Sequence, residues 1–138
     1  DKFFKPKLAY GFHRDLHKFA TSSMDVSDGI LIDLKKLIGD KKSAFIVDYN
    51  LLPQSHFFKK MVNTRKISLN DHLFNGDDYQ ILFTAPAYKR SIIHSFSKKM
   101  NQKITRIGKI LKSSKKKLIK INNKPQNFND FKGYSHKF

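Results

Sequence analysis

An α/β (α+β) fold, a mixed sheet flanked by helices, is predicted by three features of this 138-residue sequence. Short β-branched and aromatic runs alternate with stretches of helical apolar spacing. Asn, Gly, Pro and Lys-rich turns separate them. Hydrophobic residues make up 39% of the chain, which is enough for one core and a single domain over residues 1–138.

In chain order, residues 1–7 carry Pro6 and read as an extended lead-in. Over residues 8–19, Leu8, Phe12, Leu16 and Phe19 recur at steps of four, four and three, the spacing of one helical face. Residues 23–26 form a short strand. The following Ser27-Asp28-Gly29 precedes a helix whose apolar face is Ile30, Leu31, Leu34, Leu37 and Ile38. Ser27 or Asp28 is placed to cap that helix and Gly39 to stop it. Residues 44–49 (AFIVDY) form a strand, and short helices are expected over 54–61 and 68–74. Asn75-Gly76 marks a turn before a strand over 79–84 (YQILFT), which stops at Ala85-Pro86. A helix over 87–100 carries Tyr88, Ile92, Ile93, Phe96 and Met100 on one face. Two further strands, 103–111 and 117–121, flank a solvated lysine turn, and the tail reads as loop.

The net charge of +17 raises the question of a nucleic-acid partner, since clustered Lys and Arg release counterions on phosphates. Only Arg14, Arg65, Arg90 and Arg106 among the 28 basic residues are arginines, although base readout and bidentate phosphate clamps favour the guanidinium fork. Lys, Asn and Ile are abundant together, as AT-rich coding produces, so no specific nucleic acid is expected. The apolar runs are far too short for a spanning helix, so no membrane is expected either. Cysteine is absent, which removes disulfides and thiolate metal sites and suits a cytoplasmic protein. His13 and His17 have the i, i+4 spacing of a zinc pair, but Arg14-Asp15-Leu16 between them lacks the glutamate of a metalloprotease helix and no third ligand is evident.

Two acidic pairs carry the candidate chemistry. Asp25 and Asp28 flank Ser27 where a strand ends and a helix begins. Free N–H groups and the positive dipole end at such a point suit phosphate oxygens, and paired carboxylates hold the magnesium that bridges them. The same residues also serve an ordinary helix start, and spacing alone does not separate the two roles. Asp77 and Asp78 form the second pair, at the turn feeding the strand 79–84. With 11 acidic residues in the chain, four of them in two tight pairs is an uneven distribution.

The segment from Asp25 to Leu34, DVSDGILIDL, resembles the D-V-S-D-G-L-x-x-D-L motif of thiamine-monophosphate kinases. The likeness continues in order along nearly the whole chain. Pro6 and the 11–16 segment, Leu52-Pro53-Gln54-Ser55, the 76–84 segment GDDYQILFT, Ile107-Gly108 and the terminal 133–138 segment GYSHKF each match a family motif. Three positions depart from it: Asn75 in place of a glycine, Gln80 in place of a common glutamate, and Lys137 inserted before Phe138.

The resemblance implies the C-terminal domain of a two-domain kinase of the aminoimidazole ribonucleotide synthetase-like superfamily, with its N-terminal domain missing. It implies ATP-dependent phosphorylation of thiamine phosphate with Mg2+. Asp25 and Asp28 would bind the metal, Ser27 the nucleotide phosphates, Asp77 the thiamine moiety, and Tyr134 would pack on the substrate ring. It further implies a homodimer formed through the N-terminal domain, and an inactive isolated fragment. Aminoimidazole ribonucleotide synthetase and selenophosphate synthetase share the architecture, but the L-P-x-S and terminal motifs argue against them. A basic nucleic-acid-binding module without catalysis is the alternative from another class.

Overall fold

A computed structural model describes residues 12–39, 43–54, 60, 64, 80–112, 118–121 and 124–127. Within them the chain forms α1 (Phe12–Leu16), β1 (Ser22–Asp25), α2 (Ile30–Ile38), β2 (Ser43–Asp48), a 3-10 turn (Tyr49–Leu51), β3 (Ile81–Thr84), a second 3-10 turn (Ala87–Lys89), α3 (Arg90–Lys99), β4 (Gly108–Lys112), β5 (Leu118–Ile121) and β6 (Lys124–Asn127). Helices and strands alternate, and the α/β class expected from the sequence is borne out. The chain divides into two compact units, one from Asp1–Leu37 with Gly76–Ile104, the other from Ile38–Asn75 with Thr105–Phe138.

In the first unit, β1 and β3 form an antiparallel ribbon with Ser22 opposite Thr84 and Asp25 opposite Ile81. Hydroxyls tie its far end. Thr21 Oγ1 lies 2.7 Å and Ser22 Oγ 2.6 Å from Thr84 Oγ1. At the other end the Val26 N–H donates to the Gln80 carbonyl at 2.8 Å, so the pairing runs one residue past Asp25. The core of this unit is aromatic. Phe12, Leu16 and Phe19 are buried, with Ile81, Phe83, Ile93, Phe96 and Ile104 packed against them. The apolar steps along α1, the inward side of β3 and the i, i+3 pair on α3 converge there, each from the periodicity that made it legible in sequence.

In the second unit a four-stranded sheet has the order β4-β2-β5-β6. β2 pairs antiparallel with β4 and parallel with β5, so the sheet is mixed, as expected. Phe45, Val47 and Tyr49 are buried, at alternate positions along one side of β2 and its continuation. β4 and β5 flank β2 on opposite sides and do not pair with each other; residues 113–117, where the lysine turn is expected, lie outside the described residues.

Element boundaries shift at several places. Residues 102–107 are not strand, and β4 starts only at Gly108. The tail, read as loop, contains β6, which carries Pro125. Proline has no N–H to give to a ladder and is tolerated at a sheet edge, the position β6 occupies. Residues 87–89 form a 3-10 turn before α3 rather than its first turn. The helix expected over 68–74 and most of that over 54–61 lie outside the described residues.

Gly108 opens β4 against β2. A Cβ there would sit 2.2 Å from the Ile46 carbonyl oxygen and 3.1 Å from Val47 Cα, backbone atoms that cannot rotate away. Gly108→Ala is therefore expected to cost about 1–3 kcal/mol, as overpacking does. A urea midpoint unchanged from the parent chain would refute the close approach.

Candidate functional site

β1 ends at Asp25, and α2 begins at Ile30. The turn between them is held by a residue inside the helix. Asp33 is fully buried. Its Oδ2 accepts from the backbone N–H of Ser27 at 2.8 Å and of Asp28 at 2.9 Å, while its own N–H donates to the Gly29 carbonyl at 3.0 Å. Two amides that precede the helix thus gain an anionic acceptor, and charge-assisted bonds of this kind are the strong ones. Gly29 has φ of +107°, a conformation that β-carbons oppose, which lets the chain turn from strand into helix within the four residues 26–29. Gly39, at φ +65°, takes the left-handed position just past the end of α2, as its place in the sequence predicts.

Sequence reading assigned Ser27 or Asp28 the capping task. Their backbone N–H groups donate to the carboxylate of Asp33, so the turn is also ordered from one turn inside the helix. The side chains of Asp25, Ser27 and Asp28 are exposed, while Val26 between them is buried. Burial of Val26, Leu31 and Leu34 anchors the segment on both sides of the turn and leaves the polar groups facing solvent.

The second oxygen of Asp33 is also engaged. Lys36 Nζ donates to Asp33 Oδ1 at 3.2 Å and to Asp28 Oδ2, so a single ammonium bridges a buried and a half-exposed carboxylate. The Asp28 carboxylate first, and that of Asp33 second, push the Lys36 ammonium above its ordinary range. Its charge is permanent at any physiological pH.

Asp25, Ser27 and Asp28 are therefore brought to one exposed turn between a strand end and a helix start. Asp77 and Tyr134 lie outside the described residues. β3 enters its ribbon at the end where Asp25 stands, and Asp77 precedes Ile81 by four residues in the sequence. His13 and His17 are both exposed, His13 in α1 and His17 just after it. Among the described residues no group of three or more His, Asp or Glu side chains is disposed to hold a metal. Nor is any helix there long and apolar enough to cross a membrane. Asp33 and Lys36 were missed by sequence reasoning. The available signal was an acid set between Leu31 and Leu34 on the apolar side of a helix, five residues after Asp28.

No protein-family model matches the chain. The chain is 27% identical over 131 residues to the thiamine-monophosphate kinase of Salmonella typhimurium, an alignment that covers 95% of this chain and 39% of that protein. A crystal structure of thiamine-monophosphate kinase from Stenotrophomonas maltophilia matches with a TM-score of 0.63 and 30% identity, over 80% of this chain and 34% of that one. AaThiL complexed with AMPPCP and TMP matches with a TM-score of 0.65 over 89% of this chain and 37% of that one, at 23% identity, and shows the shared fold. The chain thus spans about two fifths of the length of the curated relatives it matches, 39% for the Salmonella protein. The chain is similar to thiamine-monophosphate kinases in sequence and in fold, as its motifs implied.

Proposed function

We propose that this chain is the C-terminal domain of a thiamine-monophosphate kinase, and that the turn from Asp25 to Gly29 is its share of the nucleotide and metal site. The observation that carries this reading is the turn itself. Two exposed carboxylates and a hydroxyl stand at a helix start, on a backbone fixed by the buried Asp33. A turn organised from beneath in this way presents its outward groups with little freedom to lose on binding.

Two carboxylates suit magnesium, which is held through one or two of them while substrate phosphates and water supply the other oxygens. Asp25 and Asp28 would hold it, and when bound it supplies charge neutralisation on the nucleotide phosphates. Ser27 offers its hydroxyl to the same phosphates. Asp77 is assigned to the thiamine moiety and Tyr134 to the substrate ring on the motif likeness. The remaining ligands, and the dimer contact, would come from an N-terminal domain, consistent with the 39% of the Salmonella relative that this chain spans. A cytoplasmic location follows from that activity.

In the reaction the γ-phosphoryl leaves ATP by cleavage of its bond to the bridging oxygen. A new P–O bond forms to a phosphate oxygen of thiamine phosphate, giving ADP and thiamine diphosphate. The attacking oxygen is already anionic, so no strong general base is needed. Positioning and charge stabilisation are what the protein has to supply. Asp25, Ser27 and Asp28 are suited to that task because each is tied by a short backbone path to Val26, Leu31 and Leu34 in the packed interior.

The test is steady-state formation of thiamine diphosphate by the full-length protein with ATP, thiamine phosphate and magnesium. Asp25→Asn and Asp28→Asn are each expected to lower kcat/KM by about a hundredfold or more, the scale set by removing one electrostatic contact to a transition state. Thermal unfolding should barely change, because both side chains are exposed. The isolated 138 residues are expected to form no product. Wild-type rates in either variant, or turnover by the isolated chain, would overturn the assignment.

A further inference from the structure

Lys36 does not belong to any motif of the sequence, yet its ammonium is bonded to a carboxylate of the candidate site. It reaches Asp28 eight residues back and Asp33 three residues back, and so spans the exposed turn and the buried anchor beneath it. The Lys36 and Asp28 side chains are about half exposed, at 48% and 49%, whereas Asp33 is at 0%. The two ends of the bridge therefore differ in kind. The contact with Asp28 lies in water, where ion pairs are weak and exchange readily. The contact with Asp33 is made to a carboxylate whose other oxygen is fixed by two backbone amides.

We propose that Lys36 is a built-in counter-ion that neutralises Asp28 when no divalent cation is bound, and that such a cation must displace it. This rests on the reading of Asp25 and Asp28 as the metal-holding pair. A lysine suits the role because its ammonium is a compact point charge on a flexible four-carbon stem. It can swing off Asp28 while Asp33 keeps a hold on it. The arrangement offsets the charge of Asp28 while no cation is bound, and it makes cation uptake a competition rather than a simple filling.

The experiment measures Mn2+ affinity of the full-length protein without nucleotide, by electron paramagnetic resonance of the free ion. It compares the parent with Lys36→Met, Lys36→Arg and Asp25→Asn. Loss of the competing ammonium in Lys36→Met should tighten Mn2+ binding about fivefold, which is a surface ion pair of about 1 kcal/mol expressed as an affinity ratio. Lys36→Arg, which keeps the charge, should stay within about twofold of the parent on the same scale. Unchanged or weaker binding in Lys36→Met, with Asp25→Asn still weakening uptake, would overturn the counter-ion role and leave the metal reading intact. Mn2+ binding indifferent to Asp25→Asn would overturn the metal reading, and the counter-ion role with it.

Discussion

Replacing Asp33 by alanine is expected to lower the unfolding free energy by about 3–5 kcal/mol, the scale for removing one member of a buried, hydrogen-bonded charged set. The side chain is fully buried, and three donors converge on it: the amides of Ser27 and Asp28, and the ammonium of Lys36. Alanine leaves those amides without their acceptor and opens a polar void beneath the turn. Asn is the informative control. A single oxygen, Oδ2, accepts both amides, and an asparagine carbonyl can do the same. What Asn loses is the contact with Lys36, since an amide N–H2 would face an ammonium. Asp33→Asn should therefore cost about 1–2 kcal/mol, closer to one lost charge-assisted bond. Urea unfolding followed by circular dichroism separates the variants. Loss of less than about 1 kcal/mol in the alanine variant would show that the turn holds without its buried acceptor.

The second large effect belongs to the aromatic core. Phe19 is 2% exposed, with ring centroids 5.4 Å from Phe83, 5.4 Å from Phe96 and 6.3 Å from Phe12. It joins the end of the α1 segment to β3 and α3 at once. Phe19→Ala should cost about 3–5 kcal/mol, combining lost transfer free energy with a cavity that three rings cannot collapse to fill. Phe19→Leu, which keeps most of the volume, should cost less than half as much. Equal losses for the two variants, measured by denaturant unfolding at matched temperature, would mean that ring-on-ring packing rather than volume is the source.

Much of this architecture was legible because its signals are local. The alternation of Phe45, Val47 and Tyr49 along β2 and its continuation, the spacing of Leu31, Leu34 and Ile38 along α2, and the buried pair Phe12 and Leu16 of α1 each follow from the period of one element. Asp25, Ser27 and Asp28 could be picked out because a strand end, a hydroxyl and a helix start fall within a few residues. What escaped depends on partners distant in sequence. The β-branched Ile104, Thr105 and Ile107 look like strand, but the ladder with β2 takes in no residue before Gly108 beyond the bond from the Asp48 N–H to the Ile107 carbonyl, and Ile104 packs into the aromatic core instead. β6 escaped because Pro125 is tolerated only at an edge, and edge position is a property of the assembled sheet. Asp33 escaped because an acid in an amphipathic helix is ordinarily solvent-facing. Its burial makes sense only with two unsatisfied amides overhead.

The strand pairings also set a timetable. Ser22 and Thr84, bonded across the first ribbon, are 62 residues apart, and β2 waits for partners that begin at Gly108 and Leu118. During synthesis, Phe45 and Val47 emerge long before either neighbour of β2 exists, and both edges of that strand stay bare meanwhile. Non-local pairing of this kind is slow and exposes apolar strands to other chains. Soluble yield in the cell should therefore depend on growth temperature and on chaperone supply, while the finished protein, with β2 enclosed between β4 and β5, no longer offers that strand for misassembly.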